Sequence, residues 1–386
     1  MSYLSNKYEI ADEYIIESVI EKFLNNIPDK LKEKIFYIYY SYLHKYKDNL
    51  YKKIINEKNA NSISNILKCI IKIIKTNNIR LNELKQDFTK EENIILYCSN
   101  IIHNMYEHEL RENNLIDFDD IIINATKKLK KMKSLKNYKH ILVDEYQDIS
   151  NIRFEFLKTL VEKNQASLTV VGDDWQSIYR FSGSNIEIFL KFRKLFPNSK
   201  LFVLKNTYRC PRKIIEKSSK FIIKNKLQIQ KEIISTNMTK RPLKKVYYSN
   251  KYKCLYKIIK KIKCGKSILI LSRNTYDIYS YTNNKLQYKN NKVYVNNKEA
   301  SNIAFMSIHM AKGLEADIVI LLNLETSYDG FPSKKELKII DKLIGIKEPI
   351  KFPEERRLFY VALTRCREKI YLLINKNSPS VFADEI

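Results

Sequence analysis

An α/β fold behind a long helical region is the architecture this sequence predicts, and three observations predict it. Residues 8 to about 135 contain one proline, Pro28, and no glycine, with apolar residues at helical spacing in Ile15-Ile16, Val19-Ile20 and Phe23-Leu24. From His140 onward, short β-branched runs alternate with helical segments, the pattern of parallel sheets covered on both faces. Pro197-Asn198-Ser199 then punctuates the chain before the run at Leu201, which places a domain boundary near residue 198.

Taken in order, residues 1–135 form the helical region, and its lysines, for example Lys45, Lys47, Lys52 and Lys53, read as a solvated helix face. The runs expected as strands are 141–144, 168–172, 201–204, 244–248, 267–272, 303–308, 317–322 and 369–374. Those before 198 belong to a domain covering 136–198, and those after it to a second α/β domain, 199–386. The Asn/Lys/Tyr-rich stretch 274–298 reads as a surface excursion, and the chain shows no internal repeat.

The bulk numbers narrow the classes. A chain of 386 residues with 44% hydrophobic content is long enough for two domains with ordinary cores. Lys plus Arg total 70 against 43 Asp plus Glu, a net charge of +27, which attracts a polyanion in a salt-dependent way. Lys, Asn and Ile also crowd every segment, as in an A/T-rich genome, so composition leaves the partner to be decided by motifs. The cysteines at 69, 98, 210, 254, 264 and 366 include no Cys-x-x-Cys pair and no neighbouring His at ligand spacing, which gives no support to zinc or an iron–sulfur cluster. Reduced thiols, no apolar segment after Met1 and no run of 18 apolar residues lead to the expectation of a cytoplasmic protein with no membrane span.

Asp144 and Glu145 close an apolar run, Ile141-Leu142-Val143, a position suited to holding Mg²⁺ near phosphates and polarising an attacking water. The stretch Gly172 to Gly183 combines a tight turn, the Gln176 amide able to sense a terminal phosphate, and aromatics on which unpaired bases could stack.

These pieces converge. Asp144-Glu145-Tyr146-Gln147-Asp148, Gly172 to Gly183, Asn206-Thr207-Tyr208-Arg209, Ser307 to Glu315, and Glu354 to Arg365 resemble, in register, five signature motifs of UvrD/Rep-type superfamily 1 DNA helicases. The form of the second motif, with Ser327-Tyr328-Asp329-Gly330-Phe331-Pro332 and the final Lys376 to Ser380, is most similar to the helicase IV branch; Asp117 to Asp120 is a weaker landmark. The resemblance implies two RecA-like P-loop-NTPase-type domains, the first incomplete, and an ATP- and Mg²⁺-dependent translocase with 3'-to-5' direction. Its partner would be single-stranded DNA or DNA with a single-stranded tail, and its place the nucleoid. Carried over position by position, Asp144 binds Mg²⁺, Glu145 is the base for water, and Gln176 senses the γ-phosphate. Tyr208 stacks on adenine, Glu315 holds the ribose, and Arg209 and Arg365 reach the γ-phosphate from the second domain. Tyr179 and Phe181 stack on bases, while Ser307, His309 and Lys312 couple the nucleotide to the DNA backbone.

Two departures qualify the resemblance. No Gly-x-x-x-x-Gly-Lys-Ser/Thr phosphate loop occurs in the chain, and Gly265-Lys266-Ser267 is a decoy, since Lys260 stands where the first glycine is required. Without that loop, ATP hydrolysis by this polypeptide alone is not expected. The expected explanation is the downstream part of a split or truncated motor, completed by an upstream fragment or subunit supplying the loop; the alternative is a catalytically inactive nucleic-acid-binding relative. The second departure is a spacing of about thirty residues between Arg273 and Ser307, too short for the inserted domain of many relatives, because a domain needs more than about fifty.

Overall fold

A computed structural model describes residues 8–43, 60–84, 88–133, 135, 137–263, 265–327, 330–334, 338–345 and 348–386. Lys45, Lys47, Lys52, Lys53, Cys264, Tyr328 and Asp329 lie outside the described residues. The chain divides into two compact units: Met1–Asp173 with Tyr179–Leu195 and Leu337–Lys347, and Asp174–Ile178 with Phe196–Glu336 and Glu348–Ile386.

The first unit is helical for most of its length: α1 (Glu13–Asn26), α2 (Asp29–Leu43), α3 (Ala60–Thr76), α4 (Lys90–Glu112) and α5 (Phe118–Lys131). Side chains define where helices start. Asp12 accepts from Tyr14 N, Thr89 and Glu92 form a reciprocal capping box, and Asp117 accepts from Asp120 N. Ile20, Ile35, Leu67, Ile70 and Ile102 are fully buried in one apolar cluster, to which a later helix, α11 (Lys338–Ile344), adds Ile339, Ile340 and Leu343. Lys75 ties three helices together. The residue is 7% exposed, and its ammonium bonds Glu107, Asp117 and Asp120 at 2.6, 2.8 and 2.9 Å. Burial pushes the Asp120 carboxyl up to about 6 despite Lys75, while Lys75 overcomes the burial of Asp117 and holds that carboxyl low.

Strand β1 (Glu9–Ile10) pairs in parallel with β2 (Leu115–Ile116). After α5, β3 (His140–Val143) and β4 (Ser167–Val170) pair in parallel around α6 (Asn151–Asn164). Ile141, Val143, Leu168 and Val170 pack inward with Tyr146, Leu157 and Ile188, the last on α7 (Ile186–Leu190), and with Phe192 on α8 (Phe192–Leu195). The alternate residues His140, Leu142, Ser167 and Thr169 face outward, and Leu142 is 78% exposed. A parallel sheet is ordinarily covered on both faces; among the described residues this one is covered on one.

The second unit holds a complete parallel sheet. Strands β5 (Asn206–Thr207) and β6 (Ile234–Ser235) form a small parallel pair. The main sheet has order β12-β8-β13-β14-β7, all parallel, from β7 (Leu243–Tyr248), β8 (Ile268–Ser272), β12 (Ile303–Ser307), β13 (Ala316–Leu324) and β14 (Cys366–Asn375). Its central strands read as continuous apolar runs, Ile268-Leu269-Ile270-Leu271 and Ile318 to Leu322, because both faces are buried. The helices of this unit include α9 (Arg212–Ile222), α10 (Lys251–Lys261) and α12 (Pro353–Leu363), with α13 (Val381–Asp384) closing the chain. Gly265-Lys266-Ser267 runs into β8 rather than a helix, and Lys266 pairs with Glu368.

Two expectations need correction. Residues 201–204 are not a strand: the run Leu201-Phe202-Val203-Leu204 has no sheet partner among the described residues, and Phe202 and Leu204 are 82% and 88% exposed. Apolar β-branched character makes a strand only where a neighbour supplies hydrogen bonds and cover, and that comes here at Asn206. The stretch 274–298 is more than an excursion. It forms an antiparallel meander of β9 (Leu286–Lys289), β10 (Lys292–Val295) and β11 (Lys298–Glu299), turned by Asn290-Asn291 and Asn296-Asn297 at positive φ.

Candidate functional site

In the first unit the acidic pair sits where β3 ends. Asp144 and Glu145 are exposed, Glu145 adopts φ 49°, and its N–H donates to Asp144 Oδ1 at 2.8 Å. A left-handed non-glycine residue here turns the chain sharply, so both carboxylates stay at the strand terminus. Gln147, fully buried, links this turn to the next strand: Nε2 donates to Glu145 Oε2 at 2.5 Å and Oε1 accepts Asp173 N at 2.9 Å. Gly172 is required beside it, since a Cβ there would stand 2.5 Å from Gln147 Oε1.

The aromatic pair also belongs to this unit. Tyr179 and Phe181 lie with ring centroids 6.1 Å apart at 63°, and Phe181 is 47% exposed. Their loop is held on α3, the residue after it and α11: the Phe181 carbonyl accepts from Cys69 Sγ, the Gly183 carbonyl accepts from Asn77 Nδ2 at 3.1 Å, and Arg180 donates to Asp341 at 2.5 Å. Gly183, at φ 92°, leaves no space for a Cβ, which would meet Thr76 at 2.8 Å. Burial, with Asp148 and Glu145 nearby, pushes the Tyr179 phenol up and keeps it neutral.

In the second unit the polar residues collect at the amino-terminal ends of β13 and β14. Arg209 donates Nε to Glu315, while Arg367 bonds the other Glu315 oxygen at 3.4 Å and Asp317 at 3.2 Å. Tyr208 beside them is 79% exposed. Arg365, 2% exposed, donates to the carbonyls of Val361 at 3.0 Å and Leu314 at 3.4 Å, and its Nη2 donates to Gln176 Oε1 at 3.0 Å.

Ser307, His309 and Lys312 occupy the connection that leaves the carboxyl end of β12, and Glu315 lies where the same connection reaches β13, so one short crossover joins the two ends of the sheet. Ser307 Oγ accepts Met310 N at 3.4 Å and its carbonyl accepts Ala311 N. Burial, aided by the Arg273 guanidinium, lowers His309 to about 3. Arg273 itself donates to Glu355 Oε1 at 2.7 Å, and Glu355 Oε2 accepts Ser333 N at 3.0 Å. Because folding favours neutral His309, its stabilisation is complete above the ordinary value of 6.5 and is lost as pH falls from 6.5 towards 3. Urea unfolding midpoints should therefore drop more steeply over that window in the parent than in His309→Gln; parallel curves would refute the assignment.

Among the described residues no group of three or more His, Cys, Asp or Glu side chains could hold a metal ion by itself. Mg²⁺ bound to substrate phosphates needs only one or two protein carboxylates, and Asp144 presents an exposed carboxylate at the end of β3. No described helix is long and apolar enough to cross a membrane.

Residues 3–197 match the UvrD/REP helicase N-terminal domain, and residues 244–377 match the UvrD-like helicase C-terminal domain. The chain belongs to the UvrD/Rep helicase family. DNA helicase IV of Escherichia coli (strain K12) is 36% identical over 283 residues, covering 71% of this chain and 39% of that protein. ATP-dependent DNA helicase Rep of Buchnera aphidicola subsp. Acyrthosiphon pisum (strain APS) is 32% identical over 166 residues, 42% of this chain and 26% of that one. ATP-dependent DNA helicase PcrA of Bacillus subtilis (strain 168) is 32% identical over 142 residues, 36% of this chain and 18% of that one. The chain thus spans 39% or less of the length of these relatives.

As in the UvrD/Rep family, the α/β parts are RecA-like. Sequence reasoning missed Gln147, Arg357 and Arg367 as members of the polar framework. Gln147 was findable as the one amide in a turn that must bury its backbone. Arg357 was findable as a guanidinium leading into the apolar run Leu358 to Leu363, a helix too hydrophobic to leave it in water.

Proposed function

We propose that this chain is part of an ATP-dependent DNA helicase motor that translocates 3'-to-5' on single-stranded DNA, with the phosphate loop supplied from outside these 386 residues. The observation that carries the reading is the Arg365–Gln176 hydrogen bond, a buried guanidinium holding a side-chain amide. Neither group is needed for binding DNA, and both suit a terminal phosphate. Asp144 holds Mg²⁺, Glu145 accepts the proton of the attacking water, and Arg209 with Arg365 neutralises charge on the transferring phosphoryl group. Tyr208, exposed and flat, stacks on adenine, and Glu315 holds the ribose once Arg209 releases it. Tyr179 and Phe181 stack on unpaired bases. Ser307, His309 and Lys312 follow the DNA backbone; a neutral His309 can accept or donate one hydrogen bond without adding charge. Bound Mg²⁺ supplies charge neutralisation on the phosphates.

DNA-stimulated ATP hydrolysis by the purified chain, alone and mixed with a polypeptide carrying a UvrD/Rep phosphate loop, tests this reading. Turnover only in the mixture is the expected result. Single-stranded DNA binding with no turnover in either case would replace it with a catalytically inactive nucleic-acid-binding relative.

A further inference from the structure

The stretch Asp174–Ile178 belongs to the second unit although the residues on both sides of it belong to the first. It is anchored at each end. Asp174, fully buried, accepts Ile229 N at 2.8 Å and pairs with Lys231 at 2.9 Å, and its carbonyl accepts Gln228 Nε2 at 3.0 Å. The Trp175 indole N–H donates to the Ile229 carbonyl at 3.1 Å, and its ring meets Tyr360 of α12 edge-on at 5.4 Å.

At the other end the Ser177 carbonyl accepts Arg357 Nε at 2.7 Å. Arg357 is 1% exposed, and its two terminal nitrogens form a fork on Glu348 at 2.7 and 3.0 Å. Glu348 also accepts Asn225 Nδ2 at 2.6 Å. Gln176 lies between these anchors with its amide oxygen on Arg365. Arg357, Tyr360 and Thr364 recur at helical spacing, so one face of α12 meets Ser177, Trp175 and, through the neighbouring Arg365, Gln176. A buried ion pair is weak evidence for stability, because desolvation offsets its attraction; fixing register is its best-attested use.

We propose that Arg357, held by Glu348, is a positioning residue for Gln176: it fixes the Ser177 carbonyl, and thereby keeps the Gln176 amide against Arg365. The proposal deepens the reading of Gln176 as the phosphate sensor and rests on it for its meaning, but its test does not depend on turnover.

Trp175 is the only tryptophan of the chain, so its fluorescence reports this stretch. Arg357→Lys keeps a cation for Glu348 and loses the planar fork that reaches Ser177 and both carboxylate oxygens. The double variant Arg357→Met with Glu348→Leu removes both charges and leaves no buried ion unpaired. In either variant with parental far-UV circular dichroism, the expected result is a red shift of Trp175 emission and stronger acrylamide quenching. A merely structural pair would lower the unfolding midpoint and leave the emission of the folded state unchanged, and that result overturns the proposal. If neither variant folds, hydrogen exchange on the unaltered protein decides. Amides of 174–178 should exchange as slowly as those of α12, and exchange as fast as in the exposed run 201–204 overturns the proposal. Gln176→Ala separates the two readings: parental Trp175 emission is expected whatever happens to turnover, so failure of the ATP reading leaves the positioning result standing.

Discussion

Arg365→Ala should lower DNA-stimulated ATP turnover of the completed motor by about 10³-fold or more, the range seen when a guanidinium facing the transferring phosphoryl group is removed. Single-stranded DNA binding should change little. Arg365 is fixed by protein groups, the carbonyls of Val361 and Leu314 and the amide of Gln176. A charge held in that way needs no reorganisation in the transition state, which is where such groups gain their effect. Arg365→Lys should rescue poorly, because an ammonium cannot replace a fork that makes several bonds at once. The check is steady-state hydrolysis beside fluorescence anisotropy with a labelled oligonucleotide. Unchanged turnover in either variant removes Arg365 from the chemistry.

Phe359→Ala should destabilise the folded protein by about 3–5 kcal/mol, the usual loss for a fully enclosed aromatic ring. Phe359 is completely buried, with ring centroids 5.1 Å from Phe221, 5.6 Å from Phe331 and 5.4 Å from Phe382. All three partners are themselves fully buried, so little can relax into the space left behind. The Arg356 guanidinium caps the cluster, 4.8 Å from the Phe221 ring centre and 5.2 Å from that of Phe382. Because Phe359 seats the helix whose other face carries Arg357 and Tyr360, the loss should reach the Gln176 stretch as well as the core. Urea unfolding measures it; a midpoint unaltered in Phe359→Ala would contradict the packing described, and Phe359→Leu should fall between.

Much of this arrangement was legible in the residues, and what escaped has physical reasons. The helical region was readable because glycine is absent and apolar residues recur at helical spacing, and the second sheet because its strands, covered on both faces, are unbroken apolar runs. The run Leu201 to Leu204 has that texture and is bare, since a strand depends on a neighbour that local sequence does not reveal. The meander at 286–299 was hidden by an Asn-rich composition, although Asn-Asn pairs at positive φ are what its tight turns use. Among candidate site residues, the motif positions were legible one at a time, whereas the partner each would take was not. That Arg209 holds Glu315, and Arg365 holds Gln176, depends on contacts across 106 and 189 residues of chain.

The half-covered β3–β4 pair has a consequence for how the polypeptide behaves in solution. Leu142 offers hydrocarbon to water, and among the described residues neither strand has a second neighbour. Such an edge is a template on which another copy can stack. Mutual repulsion from a net charge of +27 opposes that contact, and it has a range of only about 8 Å at physiological ionic strength. Added electrolyte therefore removes the barrier while leaving the sticky surface intact, so this chain should be most soluble in dilute buffer and least soluble in brine.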